Sequence, residues 1–192
     1  MAVEKSNFSR KQAGFSLIET LVATSLLATA LVALAELMAV GAQSNAIARR
    51  GTLTSILAEQ KMEQLRSLTW GFDAGGLPVS DITTDTSVSP ESKTGGKGLL
   101  PSPETALNEN TDGYVDYLDE KGVQLGGGTV LPSGTIYIRR WSVEPLPTNP
   151  NNTLIIQVLV TRSQDRGTAD AGSVARMPGE ARLVSVKTRK TT

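Results

Sequence analysis

A single carboxylate interrupts the most apolar stretch of this chain. From Phe15 to Ala35 every side chain is apolar, small or a hydroxyl except that of Glu19. An ionisable group inside an apolar run of membrane length is expensive and is usually retained for a function. Elsewhere, residues able to do chemistry are sparse. The 192 residues include no His and no Cys, which removes the commonest general base, thiol nucleophiles, disulfides and the usual zinc ligands. Asp112, Asp116, Asp119 and Glu120 could offer oxygens to calcium, but their spacing is not that of an EF-hand loop. The competing reading is a set of solvated hairpin charges. Gly95-Gly96-Lys97-Gly98 lacks the full P-loop spacing and a strand-to-helix context, so a surface turn is expected there rather than a phosphate site. No nucleophile–base pair can be named, and the expectation is a protein that is not an enzyme and needs no metal or cofactor. Lys plus Arg and Asp plus Glu both total 19, so no net field points to nucleic acid.

The element that positions Glu19 is a helix. As a helix, residues 15–42 would span about 42 Å, more than the ~30 Å hydrocarbon core of a bilayer. A run so long and nearly free of charge is expected to cross a membrane rather than to fill a soluble core. Residues 1–14 precede it, and Lys5, Arg10 and Lys11 would hold them in the cytoplasm. With Phe15 at the inner boundary, Glu36 arrives about 31 Å further on, at the outer one, where a carboxylate reaches water. Glu19 lies about 6 Å inside and faces lipid unless it snorkels or finds a partner. A rival reading takes Ala33-Leu34-Ala35 before Glu36 as a signal-peptidase site that releases a secreted β-domain. Glu19 at the start of the apolar region, and the length of that region, speak against it.

Gly14-Phe15-Ser16-Leu17-Ile18-Glu19, after a short basic leader and before an apolar helix, resembles the processing site of type IV prepilins. The resemblance covers about residues 5–40. It implies cleavage between Gly14 and Phe15 by a membrane-embedded prepilin peptidase, methylation of the new Phe15 amine, and Glu19 as the fifth mature residue. Cleavage would create an ammonium at Phe15. In a filament of parallel helices that ammonium could neutralise Glu19 of a neighbour and fix the axial stagger; a pair within one subunit, one helical turn apart, is the alternative. Many major pilins carry a helix-bending Pro where Glu36 stands. Residues 15–70 have none, which implies a straighter helix and favours a minor pilin.

From Gln43 the pattern becomes amphipathic. Ile47, Leu53, Ile56, Leu57, Met62, Leu65 and Leu68 recur at helical spacing up to Trp70, and Glu59, Lys61, Glu63 and Arg66 read as a solvated flank. Gly41 and Gly51 are flexing points or places where neighbouring helices approach. Residues 71–113 are rich in Gly, Pro, Ser and Thr and read as a long loop, with short strands around Leu77–Ile82. Strands are expected at 114–118, 123–125, 135–145, 153–161 and 181–190, the last ending in a basic, solvated edge. Tyr137, Arg139, Trp141 and Val143 share one face of their strand, and Leu154, Ile156, Val158 and Val160 one face of theirs. Turns between short strands suggest an antiparallel sheet packed on the amphipathic helix, an α+β architecture.

The stretches Ala58–Arg66 and Arg139–Val143 resemble minor pilins of the type IV pilus modification (PilV-like) group, and also type II secretion pseudopilins. The resemblance implies five parts: a leader (1–14), a transmembrane and assembly half-helix (15–42), an amphipathic half-helix (43–70), a loop (71–113) and an antiparallel β domain (114–192). It implies a structural subunit of a type IV pilus or pilus-like filament, stored in the bacterial inner membrane by one pass with its C-terminal domain in the periplasm. Its expected partners are prepilin peptidase and other pilins or pseudopilins.

Overall fold

The computed structural model describes residues 14–82, 85–88, 96–164 and 179–190. One helix, α1 (Leu17–Ser67), is followed by seven strands: β1 (Trp70–Phe72), β2 (Pro78–Ser80), β3 (Val115–Leu118), β4 (Gln124–Gly127), β5 (Tyr137–Pro145), β6 (Thr153–Arg162) and β7 (Ala181–Thr188). Strands β1 and β2 form a small hairpin. The other five form an antiparallel sheet in the order β4-β3-β5-β6-β7. A long N-terminal helix followed by an antiparallel sheet is the α+β, type IV pilin-like fold that the sequence implies. The chain divides into two compact units, Met1–Asn45 and Ala46–Thr192.

Within the second unit, the C-terminal part of α1 covers one face of the sheet. Leu57, Ala58, Met62, Leu65 and Leu68 join Trp141, Val143, Leu154, Ile156, Val158 and Val160 in the main core. Burying each of the larger side chains is worth about 1.5–3 kcal/mol. Strict alternation aims Leu154, Ile156, Val158 and Val160 inward together, as their period of two requires. On the opposite face Val115, Tyr117 and Ile138 form a smaller cluster. The β3–β4 hairpin closes through Asp119, whose carboxylate accepts from the backbone N–H of Lys121 and of Val123, both at 2.8 Å. Gly122 turns the chain there with φ 80°, and a Cβ at this position would lie 2.8 Å from Leu57 Cδ2, so the hairpin seats directly on α1.

The structure corrects several expectations. Lys61 and Asp116 are not solvated: neither side chain is exposed, and Lys61 Nζ lies 2.9 Å from Asp116 Oδ2. Arg139 grips the same carboxylate with two parallel bonds, Nε to Oδ1 at 2.9 Å and Nη2 to Oδ2 at 2.8 Å, and donates through Nη1 to the Leu57 carbonyl. Lys61 also donates to the Thr86 carbonyl and sits 4.4 Å from the centre of the Trp141 ring. The reason is geometric. Lys61 follows Leu57 by one turn and Arg139 alternates in phase with Tyr137 and Trp141, so all three charges are carried into the core face and must satisfy one another. Ile56 and Ile47 are exposed. Ile56 stands about 100° around the helix from Leu57, and Ile47 precedes the first buried helical residue, Thr54. Trp70 opens β1 rather than closing the helix. Lys187, in the basic end of β7, is not a free edge charge: its Nζ donates to the carbonyls of Arg66 and Leu68 at the last turn of α1. Arg189 likewise lies 4.7 Å from the Trp70 ring centre.

Candidate processing and assembly site

Gly14, Phe15 and Ser16 precede the first helical turn. The Gly14–Phe15 bond thus lies in accessible, non-helical backbone. Phe15 is 81% exposed, and a Cβ at Gly14 would meet nothing within 4 Å. A peptidase must thread the scissile bond through its cleft, and a bond already wound into a helix would have to unwind first. Here the helix begins two residues later. The Ser16 carbonyl accepts the N–H of Glu19 at 3.0 Å and of Thr20 at 3.2 Å, closing the first turn.

That register places Ser16 just before the helix and Glu19 in its first turn. The negative charge of Glu19 sits in the first turn, where the helix dipole favours it. Sequence reasoning treated Glu19 only as a charge in want of a counter-charge. The place of Glu19 at the start of the apolar run was the available signal for this second, local role. While Gly14 stays joined to Phe15, the Phe15 nitrogen is a neutral amide; it becomes a cation only on cleavage.

Four hydroxyls of the run are bonded inside the helix. Thr20 donates to the Leu17 carbonyl at 2.8 Å, Thr24 to Thr20 at 2.9 Å, Ser25 to Val22 at 2.8 Å and Thr29 to Ser25 at 2.9 Å. Side chains that return their protons to the preceding turn enter lipid at small cost. No described hydrogen bond or ion pair engages the Glu19 carboxylate, so it is the group in this segment that calls for an external partner. Along the helix, Leu17, Leu21, Leu26, Leu31 and Leu37 are all exposed. α1 contains an 18-residue window of mean hydropathy 2.0 with none of it buried, long and apolar enough to cross a membrane. A helix apolar on every side needs apolar surroundings, a bilayer or other helices.

The other carboxylates do not converge. Asp116 is held by Lys61 and Arg139, Asp119 by its own turn, and among the described residues no group of three or more His, Cys, Asp or Glu is placed to hold a metal. Gly95 of the Gly-Gly-Lys-Gly stretch, like Lys5, Arg10 and Lys11 of the leader, lies outside the described residues.

An apolar helix with an acid in its first turn, behind an accessible Gly-Phe junction, defines a prepilin-like N-terminal segment. Residues 9–35 match the family described as the prokaryotic N-terminal methylation motif. No curated protein and no solved structure matches the chain. The motif together with the exposed apolar helix supports anchoring in the inner membrane, and the motif implies processing by prepilin peptidase and assembly with other pilins.

Proposed function

We propose that this chain is a minor pilin. It is stored in the inner membrane with its C-terminal domain in the periplasm, cut between Gly14 and Phe15, and methylated on the Phe15 amine. It then joins a type IV pilus or pilus-like filament as a priming or tip-proximal subunit, in support of adhesion, motility or DNA uptake. The supporting observation is the coincidence, within the matched residues 9–35, of an accessible Gly14–Phe15 bond and a Glu19 carboxylate without a described partner in the first turn of an apolar helix. In the filament Glu19 is neutralised by the Phe15 ammonium of an adjacent subunit. The absence of Pro from residues 15–70 and the PilV-like stretches at Ala58–Arg66 and Arg139–Val143 favour the minor class over the bulk subunit.

The test is the intact mass of the protein isolated from membranes. The expected mature chain starts at Phe15 and carries one additional methyl group on its amine. A mature chain starting at Glu36 would instead establish release by signal peptidase.

A further inference from the structure

Strand β7 closes one side of the five-stranded sheet, and its outer edge is open. The hydrogen-bond phase shows which groups that edge offers. Antiparallel partners alternate between pairs that exchange both backbone bonds and pairs that exchange none. In the β6–β7 register Arg189 falls opposite Asn152 and donates to its carbonyl at 2.9 Å. Lys187, Ser185, Leu183 and Ala181 therefore also turn their N–H and C=O groups toward β6, and Arg182, Val184, Val186 and Thr188 turn theirs outward. Lys190, in the outward phase, donates to the Trp70 carbonyl at 3.0 Å and accepts from the Phe72 N–H at 3.2 Å, which adds β1 to the far end of this edge.

The chain thus lays one of its own strands on the end of the edge and leaves the rest bare. From Arg182 to Thr188 no described hydrogen bond engages an outward backbone group, and Val184 and Val186 are 61% and 59% exposed. Proteins usually blunt such edges with Pro, a bulge or shortness. β4, the opposite edge, has four residues and a register shift; β7 has eight, in continuous register and without Pro.

Charge selects the guest. β7 and its neighbours carry Arg182, Lys187, Arg189 and Lys190 against Glu180. Lys187 is engaged by the carbonyls that close α1, and Arg189 lies over the Trp70 and Phe72 rings. Arg182 and Lys190 are exposed on the face that carries Val184 and Val186, and Arg182 bonds only the neutral Gln157. Glu144 shares that face, but all of β6 separates it from β7, about 10 Å. A second copy would bring the same basic strand. It would also be misdirected, because β7 follows α1 from Arg50, beside Gly179, to Leu68, beside Lys187. An antiparallel pair of β7 strands would point the two α1 helices in opposite directions, and copies anchored in one membrane run parallel.

We propose that β7 takes an extended, acidic segment of a different polypeptide as a sixth strand, with apolar residues opposite Val184 and Val186 and a carboxylate opposite Arg182. The bonding groups all belong to the Ala46–Thr192 unit, so the site does not depend on cleavage at Gly14.

The test uses the full chain in detergent micelles, with hydrogen–deuterium exchange read amide by amide by NMR. The probe is a short capped peptide with Glu at each end and Val alternating with Thr between them, a pattern that reads the same in both directions. Without it, the amides of Arg182, Val184, Val186 and Thr188 should exchange fast, and those of Leu183, Ser185 and Lys187 slowly. Saturating peptide should slow the first set about tenfold or more and leave the second unchanged. The same peptide with Lys ends should bind about tenfold more weakly, and one N-methylated at both Val should not bind. Val184→Pro removes an outward donor without touching the bonds to β6, and should weaken binding about tenfold. Should that variant fail to fold, Arg182→Glu carries the test, with the Lys-ended peptide now bound better than the Glu-ended one. Equal binding of the two peptides by the parent chain, or no alternation in the protection they confer, would overturn the proposal. So would protection of the outward amides that grows with protein concentration alone, which would put a second copy on the edge.

Discussion

At the scale of single residues, two carboxylates carry opposite lessons. The Glu19 carboxylate stands in an apolar helix without a described partner, and in the proposed function its value depends on a charge supplied from outside. Glu19→Leu removes a carboxylate whose burial at mid-bilayer costs about 2.5–3.5 kcal/mol, and less near the boundary. Membrane insertion should therefore persist, and cleavage after Gly14 should survive because the scissile bond is untouched. Incorporation into filaments should fall, because each neighbouring Phe15 ammonium loses its counter-charge. Comparing cleaved protein in membranes with protein in sheared filaments decides it: a variant incorporated like the parent chain would leave Glu19 without the pairing role. Asp116 is the reverse case, fully enclosed and shared by two cations. Asp116→Ala leaves Lys61 and Arg139 facing each other in the core, an expected loss of about 3–5 kcal/mol. Lys61→Met keeps the neutral Arg139–Asp116 pair and should cost less, about 1–3 kcal/mol. Chemical denaturation of both variants checks the order. Glu19 was legible because its context is its own sequence neighbours. Asp116 was not, because its partners come from distant positions and no local pattern marks a charge that a strand turns inward.

At the scale of elements, the contact between the end of α1 and the sheet is sensitive to alkaline pH. Burial, with Arg66 adding to it, lowers the pKa of Lys187 below its ordinary 10.5. Between those two values the unfolded chain holds more proton than the folded one, so this group makes stability rise with pH up to about 10.5. Burial raises the pKa of Tyr114 above 10.0, its hydroxyl donating to the carbonyls of Leu100 and Pro101. Here the folded chain keeps the proton longer, so the contribution is complete below pH 10.0 and is lost as pH rises through the folded value. Melting temperature measured across this range should lose its rise in Lys187→Met and lose part of its alkaline fall in Tyr114→Phe. Unchanged slopes would show that neither group couples to folding. The strands themselves were legible from alternation alone, as Leu154 to Val160 show. What alternation does not reveal is what lies above each face. Lys187 occupies an inward position beside Leu154 and, in sequence, looked like part of a basic edge.

At the scale of the whole molecule, the chain joins two units with different solvents. Residues up to Asn45 bury nothing within their apolar window, whereas Ala46–Thr192 contains the described core, its ion pairs and the five-stranded sheet. All buried residues of α1 lie from Thr54 to Leu65, well inside the second unit. A chain beginning at Gln43 therefore discards the segment that needs lipid and keeps every helical side chain that needs the sheet. An isolated helix of that length would be marginal in water, so its survival depends on the face formed by Leu57, Met62 and Leu65. The truncated chain should be soluble without detergent, show a helix of about 25 residues with a strand signal by circular dichroism, and unfold in one cooperative transition, helix and sheet together. Separate loss of the helical signal at a lower temperature would mean that α1 is only laid against the sheet. A truncated chain that still partitions into membranes would mean that the second unit carries its own lipid-facing surface, and that the division of labour between the units is wrong.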